Sequence, residues 1–332
     1  MNQTTQNPRE DVEPVHDLAA AADLMRLAWK PPSWRYTPEL LREYLGRPSV
    51  RPDMIVGVRR EGRLAGFFAA IPFVAQRGAS RDRGIFTSFL SVHPEVRNPS
   101  LSVRMLSRVV ENARKAGFTH LYTVFHHDPN TNKLIAMMFK IAGIPATAIA
   151  EVRFFVRPNG VRRGTALPHC PGDLVAYQSS WRAQVSELLA AQAASLDLAQ
   201  VYPEADIEHL FATSALTRTV LCVRDGRLHG LVAGRVRDLV APKPRRDVHV
   251  DFVVTTGMDE DEGHAFLDHA LVRLAPPDVD ALVVPWSGQL DPGYLQSRGF
   301  LGMGGKAEFA YSALVPEAAR VPRLPRAWFE VF

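Results

Sequence analysis

Between residues 15 and 30 the apolar positions of VHDLAAAADLMRLAWK recur at helical spacing, and Pro31-Pro32 stops the helix. Thr37 before Pro38 is an N-cap signal for a second helix. Two strand-like runs follow, Met54–Arg59 and Leu64–Phe73, joined by the hairpin pair Glu61-Gly62. Gly84–Val92 reads as a third strand. Leu101–Ala116 carries a helical stripe of Leu101, Met105, Val109 and Ala113, and Gly117 ends it. A strand at His120–Phe125, a helix at Lys133–Ile141 and a strand at Glu151–Val156 complete the set. After a Pro/Gly/Arg-rich stretch from Pro158 to Gly172 the order repeats. Helices at Trp181–Ala194 and Glu204–Phe211 precede a hairpin, Thr219–Arg224 and Leu228–Val236, turned at Asp225-Gly226. Then come a strand at Val248–Thr255, a helix at Asp261–Leu274, a strand at Ala281–Pro285, a helix at Asp291–Ser297 and a strand at Lys306–Ser312. This pattern predicts an α/β (α+β) chain of two like domains, residues 1–160 and 161–332. Each is expected to be a mixed, mostly antiparallel twisted sheet flanked by helices.

Composition removes several alternatives. Of 332 residues 46% are hydrophobic and 22% charged, with a net charge of +4, which suits a globular chain rather than a disordered one. No stretch has the length of apolar residues a membrane span requires, and the first residues lack the layout of a secretion signal, so a cytoplasmic protein is expected. Cys170 and Cys222 share no ligand spacing, which predicts two buried thiols and neither a disulfide framework nor a zinc site. The bases are overwhelmingly arginine, with lysine only at positions 30, 115, 133, 140, 243 and 306. They are scattered without interleaved aromatics, so no nucleic-acid partner is expected. His126-His127-Asp128 has no third ligand at useful spacing, and no metal is expected. A GxSxG elbow is missing too, against a serine hydrolase.

The segment SFLSVHPEVRNPSLSVRMLSRVV, residues 88–110, is the most informative. A buried strand passes through a short loop into a helix, whose first-turn N–H groups and dipole make a generic site for phosphate. Hairpin, strand, loop, helix and strand in succession resemble the GNAT acyltransferase fold. Closer still are YTPELL (Tyr36–Leu41), GVR (Gly57–Arg59), LAGFFAAIP (Leu64–Pro72), SFLSVHPEVRNPSL (Ser88–Leu101), LYT (Leu121–Thr123) and DIEHLF (Asp206–Phe211). In this order and spacing they resemble the peptide N-myristoyltransferases, which are tandem GNAT proteins, over roughly residues 20 to 332.

That resemblance implies roles by position. The backbone amides of Phe89 and Leu90 would form the oxyanion hole for a thioester carbonyl. Ser91, Val92, Arg97, Asn98, Ser100, Leu101 and Ser102 would hold the phosphate end of an acyl-phosphopantetheine donor, on coenzyme A or on an acyl carrier protein. Pro99 has no N–H to give, and Ser100 stands where the family tends to carry a base, which favours a donor with a single phosphate. Thr123 would hydrogen-bond the incoming amine, with Tyr122, Asp206 and His209 on the substrate side. The family's base is its own C-terminal carboxylate, here that of Phe332. Glu330 is a fallback, expected as a solvated terminal residue. Phe67, Phe68, Ile71 and Phe73 are candidates for the acyl pocket.

A weak carboxylate base suits an α-amine, about one-tenth neutral at pH 7, far better than a lysine, which is less than about 0.1% neutral. The expected activity is therefore transfer of a long fatty or polyketide chain to the N-terminal amine of a peptide, with no tightly bound cofactor. The arginine-rich, lysine-poor composition points to a bacterial source and hence to lipopeptide natural-product assembly, and an acidic carrier protein would suit a basic enzyme. A small-group acetyltransferase using acetyl-coenzyme A and a non-catalytic tandem-GNAT binding protein are the two alternatives.

Overall fold

The computed structural model describes residues 11–96, 98–125, 129–159, 167–288, 290–318 and 320–330. The first half runs β1 (Val12–Pro14), α1 (Leu18–Ala28), β2 (Ser33–Arg35), α2 (Pro38–Leu45), β3 (Ile55–Arg60), β4 (Arg63–Arg77), β5 (Ser80–Val92), α3 (Pro99–Lys115), β6 (His120–Phe125), α4 (Pro129–Ile141) and β7 (Thr147–Pro158). The second half runs β8 (Asp173–Val175), α5 (Arg182–Ala194), β9 (Leu198–Val201), α6 (Glu204–Phe211), β10 (Thr217–Arg224), β11 (Arg227–Val240) and β12 (Arg245–Val254). It ends with α7 (Glu260–Leu274), β13 (Ala281–Trp286), α8 (Pro292–Ser297), β14 (Leu301–Ala313) and β15 (Ala327–Trp328). No helix among the described residues is long and apolar enough to cross a membrane.

The hairpin signals act as their chemistry requires. Glu61 and Gly62 both take positive φ, 50° and 78°, as do Asp225 and Gly226 at 51° and 71°, the geometry of a two-residue turn between right-twisted strands. Thr37 caps α2 by accepting from the Leu40 N–H at 3.2 Å.

All the strands join one mixed, mostly antiparallel sheet whose main path is β1-β3-β4-β5-β6-β14-β7-β13-β12-β11-β10-β8. The halves interlock within it: β14 lies between β6 and β7, and β7 lies between β14 and β13. The proposed division at residue 160 thus follows the repeated element order, while hydrogen bonding runs across it.

In the first half α1 and α2 cover one face, with Phe67 and Ile71 beneath them, and α3 and α4 cover the other over Val56, Phe68 and Ile85. The second half repeats this with α5 and α6 on one side and α7 and α8 on the other. At the junction, Phe73, Phe86, Tyr122, Phe309 and Phe329 form an aromatic core shared by both halves. The four residues expected to line an acyl pocket are therefore divided among three separate cores: alternation along β4 sends Phe68 to the α3 face, while Phe67 and Ile71 lie under α1 and α2 and Phe73, farther along that same face, joins the core at the junction. Both cysteines are free thiols; Cys222 is buried, but Cys170 is only half-buried, correcting the expectation of two interior thiols.

Candidate active site

β5 and β6 are parallel neighbours only at Gly84–Phe86 and His120–Tyr122. They approach closely there: a Cβ on Gly84 would lie 2.6 Å from the Tyr122 ring. Beyond this point Thr87 Oγ1 donates to the Tyr122 carbonyl at 3.2 Å and the ladder ends. β6 remains paired on its far side with β14, Thr123 opposite Ala310 and Phe125 opposite Glu308. The two parallel strands therefore part, leaving a gap between Ser88–Val92 and Thr123–Phe125.

Phe89 and Leu90 stand at the edge of that gap in a β-bulge. Ser88 faces Ala69 and Ser91 faces Phe67, so two residues of β5 oppose Phe68 alone. Phe89 has φ of 63°, the left-handed region that a bulky side chain rarely adopts. Its ring is held by Tyr36 and Tyr44, with centroids 5.2 and 5.9 Å away. The carbonyls of the bulge are engaged from the side, Phe89 O by Ser91 Oγ at 3.2 Å and Leu90 O by Trp29 Nε1 at 3.4 Å. Packing thus keeps turned peptide groups in an unfavourable backbone conformation, an arrangement that can present amides to a ligand.

α3 begins at the end of the gap. Asn98 is its N-cap and accepts from the Ser100 N–H at 2.9 Å, while the Leu101 N–H bonds back to the Asn98 carbonyl at 2.9 Å. With Pro99 contributing no donor, the helix uses its own first amides. Ser100 is exposed, Leu101 is buried in the α3 core, and Ser102 is 8% exposed. Arg97 lies outside the described residues. Ser91 is buried, and Val92 packs against the α3 core.

Thr123 is almost buried at the lip of the gap, whereas Tyr122 points to the opposite side, into the aromatic core, where burial raises its hydroxyl pKa. Asp206 and His209 are not at the gap. Asp206 accepts from the Ser49 N–H at 2.9 Å and from the Ser49 hydroxyl, and His209 Nε2 meets the Glu43 carbonyl at 3.0 Å. Asp206 ties α6 to the segment after α2 and His209 ties it to α2 itself, bracing one half against the other. A hollow of about 300 Å3 lies at this brace, lined by Glu39, Glu43 and His209 among others, and one of about 360 Å3 lies near Tyr202. Phe89, Thr123 and Asn98 line neither. His126-His127-Asp128 lie outside the described residues, and among those described no cluster could hold a metal.

The C-terminal segment corrects one expectation. Phe332 lies outside the described residues, but Glu330, expected in solvent, is wholly buried. Phe329 stacks on Phe309 at 3.7 Å. Glu330 pairs with Arg47 at 2.6 Å and with Arg235, one arginine from each half. Arg235 and Arg237 also pair with Asp251, at 3.1 and 3.4 Å, and all three guanidiniums lie over the Tyr44 ring at 5.0 to 5.8 Å. Burial raises the Glu330 carboxyl pKa, but Arg235 and Arg47 overcome this and hold it below the ordinary value. For Asp251 burial prevails over Arg237 and Arg235 and pushes the carboxyl up to about 6.

The second half has the same parted strands but has closed them. β12 and β13 pair in parallel only at Asp247–His249 and Ala281–Val283, and a bulge sets Val250 and Asp251 opposite Gly234. The tail bonds to both lips: the Ala327 N–H donates to Ser287 O at 2.9 Å, and Trp328 Nε1 donates to Asp251 O at 3.4 Å. α7 there starts with Asp259, Glu260, Asp261 and Glu262, which would repel a phosphate. By contrast, α3, which begins beside the β5–β6 gap, has no acidic residue in its first turn.

His249, beside the second bulge, is 2% exposed and meets Trp34 edge-on at 4.3 Å. Burial, with Arg237 and Arg245, lowers its pKa well below 6.5. Below about pH 6.5 the unfolded chain binds a proton there that the folded chain refuses, so this contribution falls by up to about 1.4 kcal/mol per pH unit as pH drops. Asp251, with its pKa raised, acts oppositely between its ordinary 3.8 and about 6. Subtracting the urea stability curve of His249→Gln from that of the parent isolates the histidine; parallel curves from pH 7 to 5 would contradict the assignment.

Residues 21–141 match the model of the Acetyltransferase (GNAT) family. This segment is a GNAT domain. The chain as a whole is similar in structure to Saccharomyces cerevisiae N-myristoyltransferase with bound myristoyl-CoA. The TM-score is 0.74 at 16% identity, over 97% of this chain and 84% of that one. The same yeast enzyme with myristoyl-CoA and inhibitors gives 0.73 at 16% identity, covering 97% and 86%. A GCN5-related N-acetyltransferase from Anabaena variabilis gives 0.61 at 11% identity, covering 92% and 73%. No curated protein matches the sequence. At these identities the likeness is one of fold. The chain thus carries a GNAT acyltransferase domain within an N-myristoyltransferase-like tandem architecture.

Proposed function

We propose that the protein is an N-acyltransferase that moves a long acyl chain from a pantetheine thioester to the N-terminal amine of a peptide, in the gap between β5 and β6. The observation that carries this reading is the strained bulge at Phe89-Leu90 on the lip of that gap, beside the start of α3. The amine attacks the thioester carbonyl, the Phe89 and Leu90 amides stabilise the tetrahedral oxyanion, and the thiolate leaves as the amide forms. A base takes the amine proton, and the free thiol and the N-acyl peptide are released. Thr123, on the opposite lip, suits the amine.

For the base we favour the Phe332 carboxylate. Glu330 is anchored by arginines stacked on Tyr44, whose ring packs on Phe89, and two further residues span about 7 Å. Tyr122, Asp206 and His209 then support the substrate side from behind, Tyr122 through the core and the other two through the brace at Ser49 and Glu43. Ser91, Val92, Asn98, Ser100, Leu101 and Ser102, with Arg97, frame the donor end. The amides that α3 spends on itself favour a donor with one phosphate, an acyl carrier protein, over coenzyme A, although the yeast relatives hold myristoyl-CoA. Lipopeptide assembly is the setting such chemistry suits.

Peptides incubated with acyl donors from acetyl to long-chain, each on coenzyme A and on carrier protein, test this by intact mass. A long-chain shift is expected. A shift with acetyl-coenzyme A alone would replace the reading with a small-group acetyltransferase.

A further inference from the structure

The repeat supplies an internal comparison. α8 occupies in the second half the place of α4 in the first, following the strand that parts from its neighbour. It is six residues long, and its apolar residues Tyr294 and Leu295 are buried. α4 has 13 residues. Met138 and Phe139 pack into the α3 core, but Leu134, Met137 and Ile141 are 43%, 44% and 61% exposed. At 3.6 residues per turn they share about 120° of the helix surface with the exposed Lys133 and Lys140. From Pro129 to Ala150 the chain has no carboxylate, and those two are among only six lysines in the protein. An apolar stripe edged by bases, within a stretch of chain that carries no carboxylate, fits an apolar-and-acidic partner surface.

The place of α4 narrows the partner. β6 forms one lip of the reaction gap, and the chain passes from Phe125 to α4 within a few residues. α4 also packs on α3, whose first turn faces the donor end. Anything seated on α4 is thus next to the point where a thioester arm must enter. A coenzyme A donor needs no such surface, whereas a protein-borne arm does.

We infer that the exposed face of α4, Lys133, Leu134, Met137, Lys140 and Ile141, is the docking surface for an acidic acyl carrier protein that delivers the acyl group. This rests on the donor reading above. Steering by two surface charges acts mainly on encounter and so on KM.

The test compares steady-state kinetics of the full-length parent, the Lys133→Glu/Lys140→Glu double variant and Met137→Asp. The same acyl chain is offered on an acidic carrier protein and on coenzyme A, at low and high salt. The expected result is a loss of about tenfold or more in kcat/KM with carrier protein, carried by KM and smaller at high salt, with the coenzyme A reaction unchanged. Equal changes with both donors, or none with either, would overturn the surface. Turnover of acyl-coenzyme A alone by the parent would overturn the donor reading and the surface with it. Inactivity with both donors would instead sink the acyltransferase reading. Cosedimentation with anionic phosphatidylserine vesicles, lost in the variants while carrier kinetics hold, would assign the face to a membrane and overturn the inference.

Discussion

Deleting Phe332 is expected to lower kcat by about 10²-fold while leaving the unfolding midpoint nearly unchanged. The carboxylate is not removed by this change but moved back by one residue, up to about 3.5 Å. A displacement of an ångström or more at a reacting group typically costs about 10²-fold. Appending a single glycine moves the carboxylate outward and is expected to cost a similar factor. A base elsewhere on the protein would let both variants keep the parent kcat, so the pair separates a terminal carboxylate from a tail that merely fills space. Glu330 anchors the tail in all three proteins, which keeps the comparison free of unfolding.

The second large effect is on stability. Glu330→Ala removes a carboxylate that pairs with two arginines whose side chains are 1% exposed, and removing one partner from a buried ion pair costs about 3–5 kcal/mol. The urea midpoint of this variant is expected to fall accordingly. Replacing Arg47, Arg235 and Glu330 together by Met, Met and Leu is expected to recover most of the loss, because it removes the desolvated charges along with their pairing. A Glu330→Ala variant within about 0.5 kcal/mol of the parent would mean that water reaches the arginines and that the cluster does not fix the tail. The ion pairs join Arg47 of the first half, Arg235 of the second and the C-terminal segment, so their loss should loosen the halves cooperatively.

Much of this architecture is readable from local chemistry. The turns at Glu61-Gly62 and Asp225-Gly226, the Thr37 cap and the α3 stripe each act within a few residues, and each is where the periodicity places it. The interchange of β7 and β14 is different: strands of similar apolar pattern can pair in either half, and the choice depends on the packing of the whole sheet. The boundaries of β5 were short at the start, because its first residues, Ser80 to Arg83, are polar and pair with β4 beyond the helical layers. The bulge at Phe89 carries no glycine to announce it; the signal available was two large apolar residues side by side where a half-exposed strand would alternate. Glu330 looked solvent-bound because its partners are 283 and 95 residues away. Asp206 and His209 were recognisable as a motif, but their partners, Ser49 and Glu43, are 157 and 166 residues away and only the fold brings them together.

The nitrogen that receives the acyl group separates N-terminal from side-chain acylation most directly. A peptide with a free N-terminus and one internal lysine, incubated with enzyme and a long-chain acyl thioester, decides this by fragment mass after reaction. The expected product carries one acyl chain on the N-terminal amine, and a copy of the peptide with its N-terminus blocked stays unmodified. Acylation of the lysine, in either peptide, would contradict the account.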